Sequence, residues 1–230
     1  MARRTKEEAL ETRHKLLDAA EHLFQAQGVS HTSLQDIARR AGATRGAVYW
    51  HFKDKADLFN AMMERVTLPM EASFNHDHVS VDAGNGPGVD PLQRIRRATV
   101  DALQRIVTDA QTRRVFEVAT QKVEYIEGLQ AVRLRHLAVR HEFLSRIEQC
   151  MDAACHQTSL KLAMPTAMAA QGLHALIDGL IQNWLLETQA FDLLKVGPCV
   201  MNVYLCGLGF ASEQEAGIQA RQERSLPSLP

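Results

Sequence analysis

Apolar residues recur along this chain at the three- and four-residue spacing of a helix, and the alternation that marks a strand is nearly absent. Leu16, Leu17, Ala20, Leu23 and Phe24 make one stripe over residues 12–27. Gly28 ends it, because a glycine just past the last periodic residue takes a left-handed cap at no steric cost. Thr32-Ser33 opens the next segment. Thr32 and Gln35 have the spacing of a capping box, and Leu34, Ile37, Ala38 and Ala41 form the inner face. Gly42 breaks that helix, and a short third one is predicted over about 44–50. Asp54 can cap a fourth, which carries Leu58, Phe59, Met62, Met63 and Val66 inward. The expected fold class is all-α.

Residues 75–91 are rich in Gly, Pro, Asn and Asp and read as a loop. His76 and His78 stand on it, and two histidines on such a loop are read as solvated, with no metal site. Helical spacing then resumes. Leu92, Ile95, Val100, Leu103, Ile106 and Val107 mark one helix, and Val115, Phe116, Val118, Ala119 and Val123 the next. A long one covers about 127–156. Pro165 opens another through about 188, and the last spans about 193–210. The sequence ends in S-L-P-S-L-P without periodicity. The organisation expected is a small domain over 1–66, a larger helical domain over 67–212 and a loose tail over 213–230.

With 230 residues, nearly half of them apolar, the chain can bury a sizeable core. Its net charge of −1 hides a split. Residues 1–55 hold ten Lys/Arg against seven Asp/Glu, and the remainder is acidic. A basic front on an acidic body suits an anionic partner for the front alone. Cys150, Cys155, Cys199 and Cys206 have no C-x-x-C spacing, so free, mostly buried thiols in a reduced, cytoplasmic setting are expected. No signal peptide or membrane span is visible near the start. His136 and His141 lack the H-E-x-x-H order, and there is neither a phosphate-cradling glycine loop nor a G-x-S-x-G elbow. No enzyme chemistry, cofactor or metal is expected.

Two short helices joined at Gly42 have the spacing of a helix-turn-helix. Val48 and Phe52, four apart, would face inward, leaving Thr44, Arg45, Tyr49 and His51 to point out. An arginine at a helix start can fork onto the O6 and N7 of guanine in a major groove. Hydroxyls can hold phosphate oxygens, and Lys55, Thr32 and Ser33 sit at helix starts, where backbone amides favour an anion. An ordinary packed corner of two helices, with polar residues facing water, fits the same pattern.

The segment running from T-R-H-K-L-L-D-A-A-E-H-L-F through A-G-A-T-R-G-A-V-Y-W-H-F to K-A-D-L-F resembles the DNA-binding domain of the TetR/AcrR family of bacterial repressors, over about residues 12–66. The resemblance implies an all-α homodimer that binds a palindromic double-stranded operator. Its C-terminal helices would take a hydrophobic small-molecule inducer that releases the DNA. Carried over by position, Thr44 and Arg45 would be recognition contacts. Tyr49, His51 and Lys55 would hold the backbone, and Trp50 would pack. Residues 175–194, A-L-I-D-G-L-I-Q-N-W-L-L-E-T-Q-A-F-D-L-L, are similar to the penultimate helix of the regulators of multidrug-efflux operons. That implies a dimer built on the last two helices, with Leu173, Leu176, Leu180, Trp184, Val200, Val203 and Leu205 as its surplus apolar surface. It also implies a pocket with Asp178, Gln182 and Asn183 as its sparse polar groups. Relatives often carry a basic residue where this chain has Gln182. A repressor of the same fold serving a metabolic gene is the nearest alternative. A helical interaction or enzyme domain with an incidental helix-turn-helix is the alternative of another class.

Overall fold

The structure, a computed structural model, describes residues 6–76, 90–124 and 129–210, with side chains over 6–68, 90–124 and 129–210. Among these residues it contains nine α-helices and no strand: α1 (Lys6–Gln27), α2 (Leu34–Arg40), α3 (Arg45–His51), α4 (Lys55–His76), α5 (Pro91–Thr108), α6 (Ala110–Gln121), α7 (Gln130–Thr158), α8 (Thr166–Leu186) and α9 (Leu193–Gly207). Asn75 and His76, expected in a loop, belong to the last turn of α4. Residues 77–89 of that stretch, His78 among them, and the 213–230 tail lie outside the described residues, and Pro91 already belongs to α5.

Local chemistry sets the helix ends. Gly28 has φ of +85°, and its N–H donates to Phe24 O at 2.9 Å. The capping box at α2 is Ser33 with Asp36, one residue later than expected. Thr32 does not take that role because its hydroxyl is turned inward, onto the carbonyl of Gly28 at 2.7 Å. Gly42, at φ +64°, makes the turn into α3, which Thr44 caps. Asp54 accepts from the Asp57 N–H at 2.8 Å at the start of α4, as expected. Asp109 caps α6 through the N–H groups of Gln111 and Thr112.

The chain divides into two compact units: residues up to 83 with 101–142, and residues 84–100 with 143 onward. In the first, the inner stripe of α1 packs with Ile37, Val48, Phe52, Leu58 and Met62, and with Val115 and Val118 of α6. Each such side chain contributes roughly 1.5–3 kcal/mol on burial. Phe24 and Phe59 meet with ring centroids 6.0 Å apart. Glu21, 1% exposed, sits where α1, α4 and α6 meet. Its carboxylate accepts from Arg65 Nη1 at 3.0 Å and from Gln111 Nε2 at 3.0 and 3.2 Å, with Arg114 Nη1 at 3.5 Å. Burial pushes this carboxyl above its ordinary value, while Arg65, Gln111 and Arg114 pull the other way.

In the second unit α8 packs on α9. Tyr204 donates its hydroxyl to Ala169 O at 2.9 Å, and a Cβ on Gly172 would overlap that hydroxyl. Arg96, buried on α5, donates to Asn202 Oδ1 on α9 at 3.0 Å. Leu173, Trp184 and Leu205, expected as surplus surface, are buried within this unit's own core. Leu176 and Val203 of that expected set are exposed, and Met168 and Leu186 join them as the exposed large apolar side chains of α8 and α9. The thiols also differ from expectation: Cys150 is buried and Cys155 half-buried, but Cys199 and Cys206 are exposed on α9.

Candidate nucleic-acid interface

The turn at Gly42 aims α3 outward. Val48 is fully buried, and Phe52 is buried just after the last turn. Thr44, Arg45 and Tyr49 are exposed, as expected. Thr44 accepts from Ala47 N at 3.2 Å, so its oxygen already fixes the first turn. Arg45 Nη2 donates to the Tyr49 hydroxyl at 3.3 Å, and its Cζ stands 5.5 Å from the ring centroid. This i,i+4 contact holds the guanidinium over the exposed face. Ser33 is exposed, and its hydroxyl donates to Asp36. Half-buried His51 meets the edge of Trp50 at 4.5 Å between centroids.

Trp50 corrects an expectation. It was expected to pack, yet it is 72% exposed. The helical wheel held the signal. At ~100° per residue, Trp50 lies about 200° from Val48, on the side away from the core. The indole therefore extends the exposed surface of Tyr49 with a large amphipathic ring carrying one N–H donor.

Two further expected contacts, Thr32 and Lys55, are held within the fold. Thr32 is 1% exposed, and its hydroxyl is held between the Gly28 carbonyl and the Gln27 amide at 3.2 Å. Its hydroxyl hydrogen is already donated to Gly28, so the side chain has none to give a phosphate oxygen. Lys55 is half-buried, and its Nζ donates to the carbonyls of Val29 at 2.7 Å, Ser30 at 3.1 Å and Thr32 at 3.0 Å. An ammonium has three N–H donors, so all are committed. Burial lowers its pKa from the ordinary lysine value. Lys55 ties the α1–α2 connection to the start of α4 and thereby positions Ser33 and α2.

The residues assigned to an inducer lie elsewhere. Gln182 Nε2 donates to Asp178 Oδ2 at 2.6 Å, and Asn183 Nδ2 donates to Gly179 O at 2.7 Å. Asp178 is half-buried, while Gln182 and Asn183 are exposed on α8. The structure brings Asp178 and Gln182 together, but as partners along one helix. It does not present this trio as free polar groups in an enclosed space.

A short helix whose outer face shows an arginine, two aromatic rings and a capping threonine, set by a glycine turn on a second capped helix, defines a helix-turn-helix DNA-binding protein. Residues 16–62 match the model of the bacterial regulatory proteins of the tetR family, and residues 90–210 match the C-terminal region of the MAATS-type transcriptional repressors. The chain belongs to the TetR family of transcriptional regulators. It is similar to the HTH-type transcriptional regulator AcrR of Shigella flexneri, with 40% identity over 202 residues, covering 85% of this chain and 88% of that one. Among solved structures it is similar to NalD, the secondary repressor of the MexAB-OprM multidrug efflux pump in Pseudomonas aeruginosa. That match has a TM-score of 0.77 and 36% identity, over 87% of this chain and 98% of that one. It is also similar to SmeT, the repressor of the Stenotrophomonas maltophilia multidrug efflux pump SmeDEF, in its triclosan complex. There the TM-score is 0.74 and the identity 27%, over 88% and 96% of the two chains.

Proposed function

We propose that this protein is a cytoplasmic homodimer that represses a multidrug-efflux operon from a palindromic duplex operator and leaves it when a hydrophobic small molecule binds. The observation that carries this reading is the exposed face of α3, where Thr44, Arg45, Tyr49 and Trp50 stand free of the core. Arg45 swings off Tyr49 to read a base edge. Ser33, Thr44, Tyr49 and His51 meet the phosphates, and Trp50 lies against the backbone beside them. Thr32 and Lys55 act from behind as positioning residues. The relatives AcrR, NalD and SmeT support the choice of operon, and the SmeT–triclosan complex supports a small-molecule inducer. The exposed Met168, Leu176, Leu186 and Val203 supply the apolar surface for a two-fold interface. Induction is a population shift, whose extent is the ligand's differential affinity for the two states.

Selection from a randomised duplex pool tests the core of the proposal. It should enrich a palindrome, and Arg45→Ala should lower affinity for it by about 1–3 kcal/mol, roughly 5- to 150-fold, while relaxing its sequence preference. A chain that enriches no sequence overturns the reading. A multidrug-pump promoter fused to a reporter tests the biology: repression should be relieved by hydrophobic compounds. Relief only by a small charged metabolite would indicate a regulator of a metabolic gene.

A further inference from the structure

A fold needs glycine where the backbone turns left-handed, or where another group stands too close for a Cβ. Gly42 meets the first condition with its φ of +64°, and Gly172 the second, against the Tyr204 hydroxyl. Gly46 meets neither. It is the second residue of α3, it is exposed, and its φ lies outside the left-handed region. Apart from its own helical backbone, a Cβ at Gly46 would have Thr44 Oγ1 as its nearest neighbour, at 3.9 Å, an ordinary van der Waals distance. Glycine also loses more backbone freedom in a helix than any other residue, so alanine would favour α3. The fold is weakened by Gly46 and gains nothing from it.

Openness alone does not single out Gly46, since Gly179 of α8 is equally unconstrained. Its place does. At ~100° per residue Gly46 lies about 200° from the buried Val48 and about 40° from Trp50, which is 72% exposed. The line of α3 farthest from the core therefore starts with no side chain and ends with an indole. Arg45, with Nη2 at 3.3 Å from the Tyr49 hydroxyl, directly precedes the gap. The bare backbone at Gly46 is a notch in the exposed face, between the side chains assigned above to DNA. We propose that Gly46 is a specificity-determining residue: its Cα comes against base edges in the major groove, and this approach sets the depth at which Arg45 meets the O6 and N7 of guanine. The assignment rests on the operator reading above.

Depth matters because hydrogen bonds are short-ranged. A methyl at Gly46 would hold α3 off by roughly one carbon–carbon bond, about 1.5 Å. Donor and acceptor in an N–H···O bond stand about 2.7–3.2 Å apart, and by about 3.6 Å the bond is gone. The bidentate base contact would be lost with Arg45 itself intact. Phosphate contacts would persist, because attraction between charges falls off slowly with distance.

The test takes full-length wild type, Gly46→Ala, Arg45→Ala and the double variant. Fluorescence anisotropy measures each against the palindrome enriched from the randomised pool and against a scrambled duplex, and thermal unfolding is followed on the same samples. Gly46→Ala should keep or raise the thermal midpoint, by up to about 4 °C. It should bind the palindrome roughly 5- to 150-fold more weakly, the worth of one bidentate base contact. Its affinity for the scrambled duplex should stay within about 2-fold of wild type, since that binding is electrostatic. The double variant should bind the palindrome no more weakly than the weaker single variant, because both changes remove the same contact. A lowered midpoint would make Gly46 a structural residue and overturn the proposal. So would an undiminished preference for the palindrome, or equal weakening on both duplexes, which would place the glycine against the phosphate backbone. A wild type with no preference overturns the operator reading and this one with it. A wild type with a preference that Gly46→Ala matches removes this proposal alone.

Discussion

At the scale of single residues, neighbouring side chains divide sharply between holding the domain together and facing outward. Phe52 is buried, so Phe52→Ala should cost about 3–5 kcal/mol in urea unfolding and lose DNA binding through loss of the fold. Trp50 is exposed two positions earlier. Trp50→Ala should leave the unfolding midpoint within about 0.5 kcal/mol of wild type and still weaken binding to every duplex. Stability and anisotropy measured on the same samples separate the two outcomes. Lys55 makes the opposite case. Its ammonium is committed to three carbonyls, so Lys55→Met should destabilise the protein by about 1–3 kcal/mol by stranding acceptors. The slope of log affinity against log salt should stay unchanged in the variant, because no counterion-releasing phosphate contact is lost. A slope lower by one per half-site would place the ammonium on the DNA instead.

At the scale of elements, two junctions depend on one residue each. Glu21 joins α1 to Arg65 of α4 and to Gln111 and Arg114 of α6. Burial raises its pKa above the ordinary 4.5, so in the window above 4.5 the folded state binds more protons than the unfolded state. Glu21's contribution to stability is therefore fully present below pH 4.5 and is lost as pH rises through the folded pKa. Unfolding free energies of wild type and Glu21→Gln at several values between pH 7.5 and 4.5 should show wild type gaining on the variant as pH falls. A difference independent of pH would mean that the carboxyl titrates alike folded and unfolded. The α8–α9 contact depends on an absence. Gly172→Ala places a Cβ into the Tyr204 hydroxyl and should cost about 1–3 kcal/mol by overpacking. Tyr204→Phe removes the clashing oxygen, so the double variant should recover part of that loss. A double-mutant cycle measures the coupling.

At the scale of the whole molecule, the proposed dimer rests on apolar side chains that α8 and α9 leave exposed. Val203 is 67% exposed, so Val203→Asp removes no core packing within the chain but puts a charge where a second copy would bury it. Sedimentation equilibrium should find wild type at twice 25.7 kDa and the variant shifted toward 25.7 kDa. The variant should also lose affinity for a palindrome far more than for a single half-site, since tethering two reading heads raises their effective concentration. Equal masses at micromolar concentration would place the interface elsewhere.

The all-α class, the nine helices of the described residues and most of their ends were legible in the chain alone, because periodicity, caps and glycine breaks act within a few residues. The inward stripe of α1, the glycine turn at Gly42, the Asp54 cap and the exposed Arg45–Tyr49 face follow from that short-range chemistry. Even Trp50 was legible, since its angle from Val48 places it outside. Other features depend on groups far apart in sequence. Glu21 is buried only because Arg65, Gln111 and Arg114, 44 to 93 positions away, converge on it. Lys55 is withdrawn from the surface by carbonyls 23 to 26 residues earlier. Leu173, Trp184 and Leu205 fill their own unit while Met168, Leu176, Leu186 and Val203 remain outside, a division that helix spacing does not make. A residue's type sets which hydrogen bonds and contacts it can make. Which of them it makes is decided by the partners that tertiary packing brings within reach, and here that decided which candidate residues are free to act.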